Sequence, residues 1–204
     1  MDASDWDERY AGSELIWSAG PNAFVADHLV DLPCGTAVDL AAGEARNAVW
    51  LAEKGWEAYA VDFSAKGLEK GRALAKQREV AERVHLIEGD ARTWAPEEPV
   101  DLVVVAYLQL ADPARGDALR NALAMLRPGG TLFVVAHDSS NIAEGHGGPQ
   151  DPAVLYTAED VLADLRSADA DVDVATAERV EREVQREDGT AVAYDCLVRL
   201  TRVS

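Results

Sequence analysis

The sequence predicts an α/β fold: a doubly wound, mostly parallel sheet with helices on both faces, ending in an antiparallel hairpin. Three observations predict it. Apolar runs of strand length alternate with helix-period stripes from Thr36 to Ala136. The run Val100–Ala106 is almost wholly apolar, as a strand buried on both faces should be. Near the C-terminus the period becomes two, through Val180, Arg182, Val184 and Arg186 and then Val192, Tyr194, Cys196, Val198 and Leu200. Asp188-Gly189 between them is a hairpin signal.

The elements follow in order. Residues before Thr36 hold Trp6, Tyr10 and Trp17, then Pro21-Asn22 opening a helix with Phe24, Val25 and Leu29. This reads as a helical cap over the sheet edge, residues 1–35, on a core of residues 36–204, the whole forming a single domain. Strands are expected at Thr36–Leu40, Ala58–Val61, Val84–Ile87, Val100–Ala106 and Thr131–Ala136. With the hairpin they make seven. Ala45, Ala48, Val49 and Ala52 form the buried stripe of the first crossover helix, about Ala45–Lys54. Ser64 caps the next, running to about Glu79. Asp112-Pro113 reads as cap and first helical position of a third, with Ala118, Leu119, Ala122, Leu123 and Leu126 inward, and Arg127-Pro128-Gly129-Gly130 ends it. A Gly-rich loop spans Ser139–Pro152, and Thr157 with Asp160 has capping-box spacing.

Composition narrows the function. The 204 residues suffice for one domain with a real core. The formal net charge of −18 opposes binding to nucleic acid or an anionic membrane, and it also serves solubility. Cys34 and Cys196 have neither disulfide-framework nor metal-ligand spacing, which fits a reducing cytoplasm. No metal is expected. The acidic N-terminus lacks the pattern of a signal peptide, and no apolar run spans a membrane. A monomer or a homodimer is expected.

The most informative stretch is AVDLAAGEARNAVWLAEKG, Ala37–Gly55: a strand with Asp39 near its end, a small-residue turn, then the amphipathic helix. Small side chains let a ligand lie against backbone, and a helix start offers unpaired N–H groups to an anion. The whole chain resembles the class I S-adenosylmethionine (SAM)-dependent methyltransferases, which have a Rossmann-like sheet. Val38-Asp39-Leu40-Ala41-Ala42-Gly43-Glu44-Ala45 is similar to their glycine-rich first motif but keeps only Gly43 of three glycines. Arg46-Asn47-Ala48, Trp6-x-x-x-Tyr10 and Trp17 before Pro21-Asn22 look like the tellurite-resistance and thiopurine methyltransferase branch. Alanine suits a tight approach at negative φ and not at positive φ. Ala41 and Ala45 are expected to be tolerated.

The resemblance implies SAM as cofactor and S-adenosylhomocysteine as product. Asp62, at the end of the second strand and 23 residues beyond Asp39, suits the ribose hydroxyls, or it only caps a helix. Phe63 would line the adenine slot and Ala91 offer its backbone N–H, with Asp90 as acceptor for the amine or as a plain turn residue. The methionine ammonium would lie near Asp39, Gly43 and Ala106, and Ala41 in the turn is a further cofactor-binding position. The carboxylate would meet the helix start and Arg46, unless Arg46 pairs with Glu44 or Asp62. Tyr10, Trp17 and Tyr107 are aromatic candidates for the sulfonium, each with core packing as the plainer role.

Methyl transfer asks the protein chiefly to align nucleophile, methyl and sulfur. An amine or hydroxyl acceptor gains from a general base, and His137 and Asp138 follow the fifth strand, at the ligand-facing edge. His137 could equally bond a loop carbonyl. His146 lies in the Gly-rich loop, which looks able to close over a substrate. His28 and His85 carry no site signal. A small-molecule methyltransferase is the leading reading. A non-catalytic SAM-binding protein and a nicotinamide-dependent oxidoreductase are the alternatives, the latter opposed by the missing G-x-G-x-x-G.

Overall fold

A computed structural model describes residues 3–12, 15–16, 18–168, 170–186 and 189–204. Trp17 and Asp188 lie outside the described residues. The strands are β1 (Thr36–Leu40), β2 (Glu57–Asp62), β3 (Val84–Glu88), β4 (Val100–Ala106), β5 (Leu126–His137), β6 (Val172–Arg186) and β7 (Gly189–Arg202). The helices are α1 (Ala3–Tyr10), α2 (Ala23–Leu29), α3 (Arg46–Glu53), α4 (Ala65–Gln77), α5 (Ala114–Ala124), α6 (Asn141–Glu144) and α7 (Ala158–Leu165). They form one mixed sheet in the order β3-β2-β1-β4-β5-β7-β6. Strands β1 to β5 are parallel, and β7 runs antiparallel between β5 and β6.

Alternate residues of the central strands supply two cores, as a period of two requires. Val38, Leu40, Val103, Val105, Leu132 and Val134 pack with α5 and α7. Ala37, Leu102, Val104, Phe133 and Val135 pack with α2 and α3. The stripe Ala45, Ala48, Val49 and Ala52 is buried as expected. Ser64 caps α4 by accepting the Gly67 N–H, and Thr157 with Asp160 forms a reciprocal capping box. Cys196 fills the core and Cys34 is exposed; both are free thiols.

Several boundaries differ from expectation. Strand β5 begins at Leu126, which pairs with Val100, whose N–H bonds the Met125 carbonyl; Arg127–Gly130 then bulge out before pairing resumes at Thr131 opposite Leu102. Helix α5 opens at Ala114, after Pro113. Helix α4 stops at Gln77, and Glu79 takes a left-handed turn. The hairpin is longer than its alternating pattern: β6 already pairs with β7 at Val172. Among the described residues, no helix is long and apolar enough to cross a membrane.

Candidate active site

The carboxyl ends of β1, β2, β4 and β5 bring most of the expected residues to one edge of the sheet, where open α/β sheets bind ligands. The turn after β1 is held in an unusual conformation. Ala41 (φ 61°), Gly43 (φ 55°) and Ala45 (φ 57°) are all left-handed. Alanine there costs roughly 1–2 kcal/mol each relative to ordinary backbone. The expectation that these alanines would be easily accommodated therefore meets a correction: the backbone keeps the glycine-type conformation, and the side chains bear strain. Strain of this kind gathers at binding sites. Tyr107 (φ 59°), just past β4, is a third strained non-glycine residue at this edge.

Asp62 ties β2 to that turn. Its Oδ2 accepts the Gly43 N–H at 2.7 Å and its Oδ1 the Ser64 N–H at 2.8 Å. A carboxylate has about four lone-pair positions, so acceptor capacity remains for a ligand hydroxyl. Burial raises its pKa, against the two backbone donors. Asp39 is also buried. Its Oδ2 accepts the Ala48 N–H at 3.2 Å, while Oδ1 has no hydrogen-bond partner although the Asn47 side chain lies close by. Burial pushes the Asp39 carboxyl up to about 6.

The N-terminal segment is drawn down on this turn. Asp7 accepts from Ser64 Oγ at 2.6 Å and from the Lys66 N–H at 3.2 Å. Tyr10 is buried over the loop: a Cβ placed on Gly43 would meet its hydroxyl at 2.6 Å. Buried Glu44 receives the Ile16 N–H at 3.0 Å and Lys70 at 3.0 Å. Arg46 bonds Ser18 Oγ at 3.3 Å and sits in the field of Tyr107, Asp39 and Glu44.

Other expected residues separate. Phe63 and Ala106 are half-buried near the edge, and Ala91 is buried. The Asp90 carboxylate is bound side-on by Arg92, through Nε at 3.0 and 3.1 Å, and its carbonyl closes a turn onto Thr93 and Trp94. Asp138 spends its Oδ1 on Ser140, on both N–H (2.9 Å) and Oγ (2.7 Å). This oxygen holds the loop turn. The Gly-rich loop is pinned: Asn141, 1% exposed, accepts the Tyr194 N–H and donates to the Gly147 carbonyl. His146 is exposed, and its Nδ1 lies 3.4 Å from the Val192 carbonyl. His28 packs on Phe133, and His85 pairs with Glu57 and stacks on Tyr59. Among the described residues no group of side chains could hold a metal ion.

Two residues that sequence reasoning missed complete the edge. Asp195 of β7 is fully buried and stands opposite His137 of β5. It accepts from Tyr107 Oη at 2.7 Å and from Arg182 Nε at 2.6 Å. Arg182 Nε also lies 3.1 Å from Tyr107 Oη. The alternating pattern gave no signal for Asp195: the burial of Ala193, Asp195 and Leu197 on one side of β7 is seen only in the structure, and a carboxylate buried there needs a built partner.

A family model described as a methyltransferase domain matches residues 37–130. Over 79% of the chain, the sequence is 25% identical to thiocyanate methyltransferase 1 of Brassica oleracea, spanning 73% of that protein. Residues 37–130 are a methyltransferase domain, and the chain is a SAM-dependent methyltransferase. It is also 29% identical over 109 residues to tRNA 5-carboxymethoxyuridine methyltransferase of Escherichia coli K12, covering 52% of this chain and 41% of that one. In fold, TehB of Haemophilus influenzae superposes with a TM-score of 0.70 at 14% identity, over 99% of this chain and 67% of that one. The branch expected from the sequence is that of the tellurite-resistance and thiopurine methyltransferases; the thiocyanate methyltransferase is a likeness in sequence and TehB a likeness in fold.

The residues of this methyltransferase fit SAM. The partnerless buried oxygen of Asp39 is an acceptor awaiting a cation, and the left-handed turn exposes backbone that normally only glycines present. Bound there, the cofactor supplies an activated methyl on a sulfonium; the chain supplies grip, alignment and a water-poor edge.

Proposed function

We propose that this methyltransferase modifies a small-molecule acceptor through a nucleophilic S, Se, Te, N or O atom, as one domain in which residues 1–35 cap the core. In this reading Asp62 takes the ribose hydroxyls, Phe63 and Ala91 flank the adenine, Asp39 meets the methionine ammonium and Arg46 its carboxylate. Tyr10, Trp17 and Tyr107 offer aromatic faces to the sulfonium, at roughly 0.5–2 kcal/mol each when desolvated. Asp90, held by Arg92, is left as a turn residue that could reach adenine only by releasing its partner.

The observation that carries the acceptor class is the closeness of the cap: Tyr10 covers Gly43, and Glu44 draws in Ile16. A site covered this way suits a small substrate. The likeness to a thiocyanate enzyme over most of the chain supports the same class. The likeness to a tRNA enzyme raises a second reading, which the charge of −18 opposes, because a polyanion gains nothing from such a surface. Free thiols at Cys34 and Cys196 favour a reducing, cytoplasmic setting.

Turnover of methyl-labelled SAM decides between the readings. Label should pass to members of a panel of thiols, chalcogenide oxyanions and heterocyclic amines, and not to bulk tRNA. Labelled tRNA with an unlabelled small-molecule panel would overturn the proposal.

A further inference from the structure

We propose that Asp195, anchored by Arg182, positions His137 to accept a proton, so that the methyl acceptor is a small molecule arriving with a hydrogen on its nucleophilic atom, such as a thiol, hydroxyl or amine. This rests on the small-molecule reading above and narrows it.

The register makes the arrangement. His137 and Asp195 are direct cross-strand neighbours on β5 and β7, so both side chains stand on one face of the sheet. Nδ1 of His137 is sealed from solvent and lies 3.2 Å from Asp195 Oδ1, short of hydrogen-bond alignment. Catalytic hydrogen bonds are often loose before ligands bind and tighten afterwards. Asp195 is ready to receive that N–H as a carboxylate. Burial would raise its pKa, but the nearby His137 N–H together with the bonds from Arg182 and Tyr107 outweighs burial and brings it below the usual range. A proton fixed on Nδ1 leaves the lone pair on Nε2, the ring nitrogen that is not sealed.

The ring itself is clamped. Tyr107 lies against it with centroids 4.8 Å apart at 51°. On Gly148 (φ 76°) a Cβ would come within 3.0 Å of the imidazole, so the loop's backbone rests on the ring only because that residue is glycine. The charged and titratable groups around His137 are therefore Tyr107 from the end of β4, Arg182 from β6, Asp195 from β7 and its neighbour Asp138.

The rival bases are occupied. Tyr107 donates its only hydroxyl hydrogen to Asp195, and burial followed by the Asp195 charge pushes its acidity far from neutrality. Asp138 is buried and has one carboxylate oxygen committed to Ser140. His146 stands on the exposed outer loop. In the step inferred, the acceptor's hydrogen passes to Nε2 as a proton. The pair it leaves forms the new bond to methyl, and the pair of the broken S–CH3 bond stays on sulfur.

The test has one readout that needs no turnover. Nitrogen-15 NMR of the imidazoles in the free protein should show His137 protonated on Nδ1, and that preference should vanish in Asp195→Asn. In turnover, Asp195→Asn and His137→Gln should slow methylation of thiols and hydroxyls by about 100-fold or more. Both should leave methylation of pre-ionised thiocyanate or iodide within about threefold. Thermal melts identify variants that fail to fold, and the wild-type tautomer stays decisive in that event. A proton on Nε2 in the wild type, or equal slowing of protonated and pre-ionised acceptors, would overturn the proposal. Failure of every small acceptor with an Nδ1–H tautomer intact would instead count against the small-molecule reading.

Discussion

Asp62 accepts the backbone N–H of Gly43 at 2.7 Å, joining the end of the second strand to the turn that follows the first. The same carboxylate caps Ser64. One side chain thus fixes the cofactor turn and the start of α4 before any ligand arrives. Asp62→Ala leaves two buried backbone donors unpaired, at about 1–3 kcal/mol each. Asp62→Asn keeps one acceptor oxygen. Chemical denaturation should find the alanine variant less stable by about 2–4 kcal/mol and the asparagine variant by about half that.

Ala41 and Ala45 hold left-handed backbone with a β-carbon attached. Ala41→Gly removes that strain and should raise stability by about 0.5–1 kcal/mol after the extra freedom of unfolded glycine is subtracted. Ala45 is fully buried, so Ala45→Gly also loses a packed methyl worth about 0.8 kcal/mol and should come out near neutral. Thermal melts of the two variants check this difference; equal shifts would refute it.

The Asp39 carboxyl, raised by burial to about 6, links cofactor affinity to pH. Its folded pKa exceeds the unfolded value, so its ionisation works against the fold as pH rises from about 4 to 6 and is without cost below that window. A cationic ammonium needs the ionised form. SAM affinity should be flat above pH 7 and fall by up to tenfold per pH unit below 6. Asp39→Asn should weaken binding at pH 7.5 and flatten the slope, leaving any contribution from Asp62. Titration calorimetry between pH 5 and 8 measures it.

Asn141 joins the Gly-rich loop to β7 through its two bonds to Tyr194 and Gly147. Asn141→Ala strands a buried N–H and should cost about 2–3 kcal/mol. Hydrogen exchange should quicken across residues 139–151, with the parallel strands unaffected.

Much of this fold was legible because periodicity is set by burial. The parallel strands are covered on both faces, and their apolar runs say so. Strand β6 stayed partly hidden because an edge strand needs no apolar face: Asp173, Val174 and Ala175 are all exposed. Asp39, Asp62 and Tyr107 were placed near the edge by their positions at strand ends, and Tyr10 by the resemblance of the Trp6–Tyr10 segment. Asp195 and Arg182 were not. Reading Tyr194, Cys196 and Val198 as the inner side of a hairpin treated the other side as solvent. In the structure β7 lies between β5 and β6, and Ala193, Asp195 and Leu197 are buried as well. Alternation cannot distinguish a strand covered once from one covered twice. Backbone sign was equally illegible: nothing in the letters Ala41 and Ala45 announces a positive φ.

Titration calorimetry of SAM against the wild type and Asp62→Ala, with NAD as the competitor ligand, tests the central claim most directly. The wild type should bind SAM and S-adenosylhomocysteine and ignore NAD, and Asp62→Ala should lose SAM affinity by at least tenfold. Unchanged affinity in that variant, or a preference for NAD, would contradict a SAM site built on the Asp62–Gly43 junction.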